Sequence, residues 1–216
     1  MVRLDGPLGS RLQAAGHDVS PPEWSARVLR TAPEAIAEIH REYAALGCDL
    51  HRANTFRCTR RACGDGWETL AKLAVRLARE AVKPGQRVAG SLGPLEDCYR
   101  PDLAPAHTRE EHAEAARAIA ADVDLFICET FPNVREAAEA VEAAVSTGLE
   151  TWVSFTAGPD GTLLSPAQVR DASRSCVARG ARAVLVNCIA AELTLPYVEA
   201  LAGAGVPFGA YANTAT

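Results

Sequence analysis

Short apolar runs alternate with amphipathic helical stretches along the whole chain. Seven runs are rich in aliphatic, aromatic or β-branched residues and have the length of β-strands; they cover residues 2–5, 48–54, 87–91, 124–129, 151–156, 183–188 and 207–212. Between them, apolar residues recur at the spacing of one helix face, as in Trp67, Leu70, Leu73 and Leu77. Strands that alternate with helices pair in parallel beneath those helices, so the pattern predicts an α/β fold.

Local capping signals predict where the helices begin and end. A small polar residue that precedes Glu or Gln by three positions allows reciprocal capping of a helix start. Gly47, Gly148 and Gly180 stand where a left-handed residue ends a helix. Five starts are predicted: Thr31 with Glu34, Asp65 with Glu68, Thr108 with Glu111, Asn133 with Glu136, and Ser165 with Gln168.

Polar residues stand at the carboxyl end of nearly every predicted strand. A TIM-type (β/α)8 barrel gathers such ends around one mouth, whereas an open doubly wound sheet spreads them along an edge. We favour the barrel because of these polar strand ends; the absence of a Gly-x-Gly-x-x-Gly after the first strand counts further against a dinucleotide-binding fold. With seven predicted strands, residues 1–216 are expected to form a single barrel domain that is truncated after strand seven and C-terminally incomplete.

Composition and charge narrow the class of protein. The chain is 48% apolar and 23% charged, as in soluble globular proteins. Its net charge of -5 argues against nucleic acid as a partner, because phosphate binding favours a basic face. No uncharged run approaches the roughly 18–20 residues that cross a bilayer. Seven cysteines without close pairing do not suggest a disulfide framework, so we expect a cytoplasmic protein.

One long loop and the histidines allow further predictions. Residues 93–107 contain three prolines and are expected to form a loop that sets substrate specificity. His40 and His112 are predicted on solvated helix faces, and His51 as a hydrogen-bonded core residue of a strand. None pairs with a cysteine at a zinc-binding spacing.

Cys188 follows Asn187 at the end of a buried apolar strand. A thiolate there is a metal ligand or a nucleophile, or the residue is an ordinary core cysteine. A metal needs further ligands. Cys58 and Cys63, after the second predicted strand, could form a three-thiolate zinc site with Cys188, although the neighbouring arginines are more typical of a solvated loop.

Glu129 ends another apolar strand, where an unpaired carboxylate is costly to bury. It either caps the following helix or acts in function, by holding a substrate ammonium group or as an acid–base group. At the first strand end, the backbone of Asp5-Gly6 either binds a small anion or forms a plain turn.

Two further positions also allow two interpretations. Asn54-Thr55 offers an amide and a hydroxyl group to a ligand, or else caps a helix or loop. Trp24 lies in a polar segment after two prolines, where an indole faces a cationic ligand or covers the edge of the core.

Seven segments, in order and at suitable spacing, together resemble the homocysteine S-methyltransferase family of zinc-dependent (β/α)8 enzymes. They are residues 3–10 (RLDGPLGS), 53–56 (ANTF), 89–94 (AGSLGP), 129–130 (ET), 152–155 (WVSF), 186–188 (VNC) and 211–213 (YAN). Each segment is weak alone, but jointly they extend over essentially the whole chain.

The resemblance implies roles for particular residues. Glu129 would bind the amino group of homocysteine, and Cys188 would be a zinc ligand. The Asp5-Gly6 turn would help to form the substrate site, and Trp24 would contact the methyl donor. We assign the remaining substrate contacts to Asn54, Thr55 and Asn187.

Two segments of the chain depart from the family pattern. Pro7 and Ser10-Arg11 stand where the family has a second Gly and a Thr-Glu pair. The family's Gly-Gly-Cys-Cys segment, which supplies its other two zinc ligands, does not occur within residues 1–216. We therefore expect either a fragment or a natural short form, with zinc bound weakly at an incomplete site.

The leading hypothesis is methyl transfer from a small methyl-onium donor to homocysteine or a similar thiol, through a zinc-activated thiolate. The alternative is a catalytically silent relative that binds an amino-acid-like ligand or completes another subunit. A third is a metal-free barrel enzyme that uses Glu129 as acid–base. Because an open parallel sheet edge invites pairing, we also expect a homo-oligomer or a completing partner.

Overall fold

The structure is a computed structural model that describes residues 1–213. Six strands alternate with the helices in this part of the chain. The strands are β1 Leu50–Arg52, β2 Arg87–Leu92, β3 Leu125–Phe131, β4 Glu150–Phe155, β5 Ala183–Ala190 and β6 Phe208–Asn213. The α-helices are α1 Leu8–Ala14, α2 Val28–Thr31, α3 Pro33–Ala45, α4 Arg60–Cys63, α5 Trp67–Ala81, α6 Arg109–Ile119, α7 Val134–Val145, α8 Pro166–Ala178 and α9 Leu195–Leu201. Short 3-10 helices cover Trp24–Arg27, Pro101–Leu103 and Ala191–Leu193.

The strands form a parallel sheet in which each strand neighbours the next one in sequence, in the order β1-β2-β3-β4-β5-β6. Leu50 is paired with Arg87, Trp152 with Ala183, and Val184 with Phe208. A doubly wound sheet reverses its strand order at a switch point, and this sheet does not. The α/β class is therefore confirmed, and the sequential strand order is consistent with the predicted truncated TIM-type barrel.

The prediction of a strand over residues 2–5 is wrong. Only Leu4 pairs, through one parallel bridge to Leu50, and Val2 is 45% exposed. Pro7 and the start of α1 at Leu8 end the extended segment before a ladder can form. The described residues thus contain six strands where seven were predicted.

Clustering of contacts divides the described chain into two compact units. Unit 1 consists of Met1–Leu92 and Glu114–Leu125. In unit 1, α3 and α5 place Ile36, Leu70 and Val75 in a core with Leu50 and Val88 of the strands. Apolar positions at helical spacing produce this core, as the sequence predicted.

Unit 2 consists of Gly93–Ala113 and the described residues from Phe126 onward. The apolar side chains of β3, β4 and β5 are almost fully buried, including Phe126, Val153 and Val186. Helices α7 and α8 contribute Val141 and Val169 to the same core. Strands buried on both faces are typical of parallel sheets covered by helices.

Three of the five predicted helix starts agree with the structure. The Ser165 hydroxyl accepts a hydrogen bond from the Gln168 N–H in a full capping box, and Asn133 caps α7 through its side chain. Thr108 directly precedes α6. The helix starts predicted at Thr31 and Asp65 are wrong, because the N-cap residues of α3 and α5 are Ala32 and the left-handed Gly66.

The prediction that His40 and His112 are solvated is also wrong. Their exposed fractions are 0% and 1%. His40 lies four residues after Ile36 and four before Ala44, both buried, so it shares the inner face of α3. His112 shares its helix face with Ala115 and Ala116 in the same way.

None of the helices in the described part of the chain is both long and apolar enough to span a membrane. One domain over residues 1–216 and association into oligomers stay predictions.

Glu139 on α7 gives a prediction about acid stability. Burial favours its neutral form, but hydrogen bonds from Thr108 and Arg135 outweigh burial and lower the pKa of Glu139 to about 2. A lowered folded-state pKa stabilises the fold above the unfolded value of 4.5, and this contribution is lost as the pH falls towards 2. Because the side chain is 25% exposed, we expect Glu139→Gln to lower the free energy of unfolding by only about 1–2 kcal/mol near neutral pH.

Urea unfolding at neutral pH and at about pH 3 checks this expectation, since the difference between variant and wild type should shrink in acid. The exposed Glu110, changed to Gln, serves as the matched control with no effect at either pH. A difference that is the same at both pH values would contradict it.

Candidate functional site

Polar side chains meet at the carboxyl ends of the strands in unit 2. Thr130, Ser154 and Cys188 hydrogen-bond the Asn187 amide, while Tyr211, the register partner of Asn187 on β6, hydrogen-bonds Glu129. All but Cys188 and Tyr211 are less than 9% exposed. We call this group the Cys188 cluster; it consists of Glu129, Thr130, Ser154, Asn187, Cys188 and Tyr211.

Asn187 is the centre of the cluster and is 1% exposed. Its Oδ1 accepts hydrogen bonds from the Ser154 hydroxyl at 2.7 Å and from the Thr130 N–H at 3.1 Å. Its Nδ2 donates to Thr130 Oγ1 at 2.7 Å and to Cys188 Sγ at 3.2 Å. The amide thus uses both its donors and its acceptor to connect three strands of one unit.

The backbone is strained at two positions of the cluster. Thr130 and Cys188 have φ angles of 65° and 53°, a left-handed region that residues with a Cβ rarely adopt. The register of β5 against β6 shifts between Asn187 and Ala190, next to Cys188. This irregularity turns Cys188 out of the strand alternation and leaves its thiol half-buried beside Asn187.

Glu129 is 6% exposed, and its Oε2 accepts a hydrogen bond from the Tyr211 hydroxyl at 2.7 Å. The following helix, α7, is capped by Asn133 and not by Glu129. The capping interpretation of Glu129 is therefore wrong, and its carboxylate is oriented by Tyr211, which pairs with Asn187 in the strand register.

Tyr99 is a residue of the site that the sequence analysis missed. It lies in the loop between β2 and α6 and hydrogen-bonds with the Cys188 side chain. Burial, and then the neighbouring Cys188 and Cys98, raise the pKa of Tyr99 well above its usual range. The sequence feature that could have identified Tyr99 is its position in the 93–107 loop, which was predicted to set substrate specificity.

In unit 1, the Asp5 carboxylate is 5% exposed and already has a cationic partner. Asp5 Oδ1 accepts from Arg52 Nε at 2.7 Å, and Oδ2 accepts from the Arg52 backbone N–H at 3.0 Å. The Arg52 guanidinium also donates to the carbonyl oxygens of Asp5 and Gly6. Arg52 thereby fixes the turn that the sequence analysis had considered as an anion site.

Gly6 is required by a close approach. A Cβ atom at this position would lie 2.6 Å from Cζ of Tyr43, so any larger residue displaces that ring. The turn is a packed element of unit 1, and a substrate contact by Asp5 and Gly6 stays a prediction.

Asn54 and Thr55 both make internal hydrogen bonds. The Asn54 amide donates to the Ser25 carbonyl oxygen at 2.9 Å and accepts from the Ser25 hydroxyl at 2.6 Å. Thr55 exchanges two hydrogen bonds with the Ser91 backbone. Asn54 therefore fixes the position of the short 3-10 helix that begins at Trp24. Trp24 itself has a left-handed φ of 48°, and its buried indole Nε1 has no hydrogen-bond partner.

The donor atoms do not complete a zinc site at Cys188. Catalytic zinc takes three protein ligands, and within residues 1–213 the single group of three or more candidate metal ligands is Asp5, His40 and His51. In unit 1, Cys58 and Cys63 donate to the carbonyl oxygens of Asn54 and Arg57, and the three-thiolate site stays a prediction. Zinc bound at Cys188 stays a prediction.

A surface cleft of about 660 Å³ in unit 2 is not a competing site. Its walls are the turns that precede β4 and β5, so it lies at the amino ends of strands whose carboxyl ends carry the Cys188 cluster. The lining residues are Val145, Gly148, Leu149, Glu150, Gly180 and Arg182.

Comparison with known proteins finds the same likeness in sequence and in structure. The family model described as "Homocysteine S-methyltransferase" matches residues 2–216. Homocysteine S-methyltransferase 4 from Zea mays is 28% identical over 89% of this chain, and homocysteine S-methyltransferase from Escherichia coli is 29% identical over 99%. The crystal structure of homocysteine methyltransferase MmuM from Escherichia coli, in its metallated form, matches 98% of the chain with a TM-score of 0.82 and 26% identity.

The fraction of each relative's length that this chain covers differs. The chain spans 65% of the maize protein, 78% of the Escherichia coli protein and 83% of the MmuM chain in the crystal structure.

Proposed function

Because this chain belongs to the homocysteine S-methyltransferase family, we propose that it moves a methyl group from a small methyl-onium compound to the thiol of homocysteine or a similar thiol. The observation that carries the proposal is the Cys188 cluster, in which an amide hydrogen-bonded to a thiol neighbours a tyrosine that hydrogen-bonds a buried carboxylate, all in one unit.

Glu129 is proposed to bind the ammonium group of the acceptor amino acid. A buried carboxylate is stabilised when a cation pairs with it, and an ionised carboxylate has about four acceptor positions. Tyr211 uses one of these positions on Oε2 and fixes the orientation of the carboxyl plane. This arrangement suits a ligand that has an ammonium group near its thiol.

The half-buried Cys188 marks the proposed place of the sulfur chemistry. The Asn187 amide and the Tyr99 side chain hydrogen-bond its thiol, so the direction of the sulfur is fixed. In the transfer step, the acceptor thiol first loses its proton to solvent. The resulting sulfur anion forms a bond to the methyl carbon, the bond from carbon to the onium centre breaks, and its electron pair stays with the departing sulfur or nitrogen.

Trp24, in unit 1, is proposed to contact the methyl donor. An indole face attracts a sulfonium or quaternary ammonium cation, by about 0.5–2 kcal/mol. Asn54 positions the segment through its two hydrogen bonds to Ser25. Substrate contacts by the Asp5-Gly6 turn and by Thr55, in unit 1, stay predictions.

The direct test is methionine formation from L-homocysteine with S-methylmethionine or betaine, with and without added Zn²⁺. We expect turnover that is lost in Cys188→Ser, measured by mass spectrometry with a methyl-labelled donor. A folded, zinc-loaded protein without turnover would contradict the proposal, and binding of homocysteine without turnover would favour the catalytically silent alternative.

A further inference from the structure

Two buried histidines in unit 1 have ring nitrogens that no protein group satisfies. His40 on α3 and His51 on β1 are both 0% exposed. Neither ring nitrogen of His40 has a hydrogen-bond partner, and the one protein group that hydrogen-bonds the His51 ring is the Cys48 backbone. The two ring centroids are 6.4 Å apart at an interplanar angle of 65°, so the rings contact edge to face.

Burying these ring nitrogens destabilises the folded state unless a ligand binds them. A buried polar group without a hydrogen bond destabilises a fold by about 1–3 kcal/mol. Native proteins leave few such groups, and those that persist are commonly explained by a bound ion, a buried water or a function. Two neighbouring histidines, each with at least one unsatisfied ring nitrogen, therefore point to one shared ligand.

The third member of the group is Asp5. One ligand atom from each of Asp5, His40 and His51 lies within 4.8 Å of the other two. We propose that these three side chains bind a first-row transition-metal cation such as Zn²⁺. The proposal does not rest on the methyltransferase activity, because these residues form a different donor set from Cys188.

The geometry suits such an ion. Zn–N and Zn–O bonds of about 2.0–2.1 Å place tetrahedral ligand atoms about 3.3 Å apart, which small side-chain rotations reach from the present separation. The three ligands come from the segment before α1, from α3 and from β1, so the surrounding core holds them in place.

The protonation states also suit metal binding. Burial lowers the pKa of His40 to about 4 and also lowers the pKa of His51. Both rings are therefore neutral near pH 7, which is the form that coordinates metals. Each Asp5 oxygen accepts from Arg52 and has a further lone pair for a metal.

Arg52 determines which cation is favoured. Its guanidinium neutralises the one carboxylate of the group, so the site offers little net negative charge. Hard cations such as Mg²⁺ and Ca²⁺ need several charged oxygens, whereas imidazole ligands suit Zn²⁺, Ni²⁺ and Cu²⁺. We therefore expect Zn²⁺ to bind and an excess of Mg²⁺ to leave it bound.

The test uses tag-free protein with Cys188→Ser, which removes the predicted thiolate ligand of the other site. After dialysis against Zn²⁺, we expect about one equivalent by elemental analysis. Co²⁺ in its place should show visible ligand-field bands without a sulfur-to-cobalt charge-transfer band. Adding His40→Gln or His51→Gln should weaken Zn²⁺ binding by at least about 100-fold, since even outer-shell partners of a metal contribute 10–100-fold.

His112→Gln is the matched control, because His112 is as buried as His40 but lies beside Glu136 in unit 2. It should retain the metal. Absence of stoichiometric Zn²⁺ in the Cys188→Ser protein, equal binding by the His40→Gln variant, or displacement by Mg²⁺ would overturn the proposal.

One measurement does not depend on how the histidine variants fold. Zn²⁺ should raise the midpoint of thermal unfolding of the Cys188→Ser protein in a concentration-dependent way, because a ligand of the folded state stabilises it by mass action. An unchanged midpoint would overturn the proposal.

Discussion

Glu129→Gln should reduce kcat/KM for homocysteine by about 100-fold or more while leaving the fold intact. The amide keeps an oxygen that can accept from Tyr211, but it loses the negative charge proposed to face the substrate ammonium. Loss of one partner from a buried charge pair costs about 2–5 kcal/mol, and 2.7 kcal/mol corresponds to about 100-fold in rate. Steady-state kinetics and the dissociation constant for L-homocysteine measure the effect.

The desamino analogue 4-mercaptobutanoate provides the matched control ligand, since it has the thiol and carboxylate but no ammonium group. Wild type and Glu129→Gln should have the same kcat/KM for this analogue. Tyr211→Phe should have a smaller effect, because it removes a neutral hydrogen bond and no charge. If Glu129→Gln lost as much activity with the desamino thiol, Glu129 would act as an acid–base group or in structure and not as the ammonium site.

Asn187→Leu is expected to have the largest effect on stability, lowering the free energy of unfolding by about 3–5 kcal/mol. Leucine has the same branched four-atom side-chain skeleton but leaves the Ser154 hydroxyl, the Thr130 N–H and the Thr130 hydroxyl oxygen buried without their present partner. Each such group costs about 1–3 kcal/mol. The strained backbone of Thr130 also loses the amide that holds it. Urea unfolding followed by circular dichroism gives the value.

Ser154→Ala is the control for a single lost bond and should cost about 1 kcal/mol. Asn187→Asp should fall between the two, because it keeps an oxygen for Ser154 and the Thr130 N–H but has no donor for Thr130 Oγ1. An Asn187→Leu protein as stable as Ser154→Ala would show that the network contributes little beyond one hydrogen bond.

The regular elements were predictable from the sequence because local signals determine them. The apolar runs of β2 to β6 and the caps at Asn133 and Ser165 depend on neighbours within a few residues. The segment at residues 2–5 failed because a strand also needs a ladder partner, and only Leu4 finds one. His40 could have been placed correctly, since Ile36 and Ala44 define its helix face.

The candidate site was only partly predictable, for a related reason. Glu129, Asn187 and Cys188 were identifiable as polar residues that end apolar strands. The partners that determine their chemistry are distant in sequence: Tyr211 lies 82 positions from Glu129. Asp5 and Arg52 are separated by 47 positions. No local pattern links such pairs, and the loop that contains Tyr99 has no periodicity from which its path could be read.

The backbone of Cys188 bears on attempts to engineer this chain. Its left-handed conformation is one that glycine adopts without the steric penalty of a Cβ atom. Natural selection for function and laboratory selection for heat resistance therefore act in opposite directions on residue 188. A directed-evolution experiment that rewards only thermostability is expected to enrich glycine there, and its most heat-resistant clones would then lack the thiol.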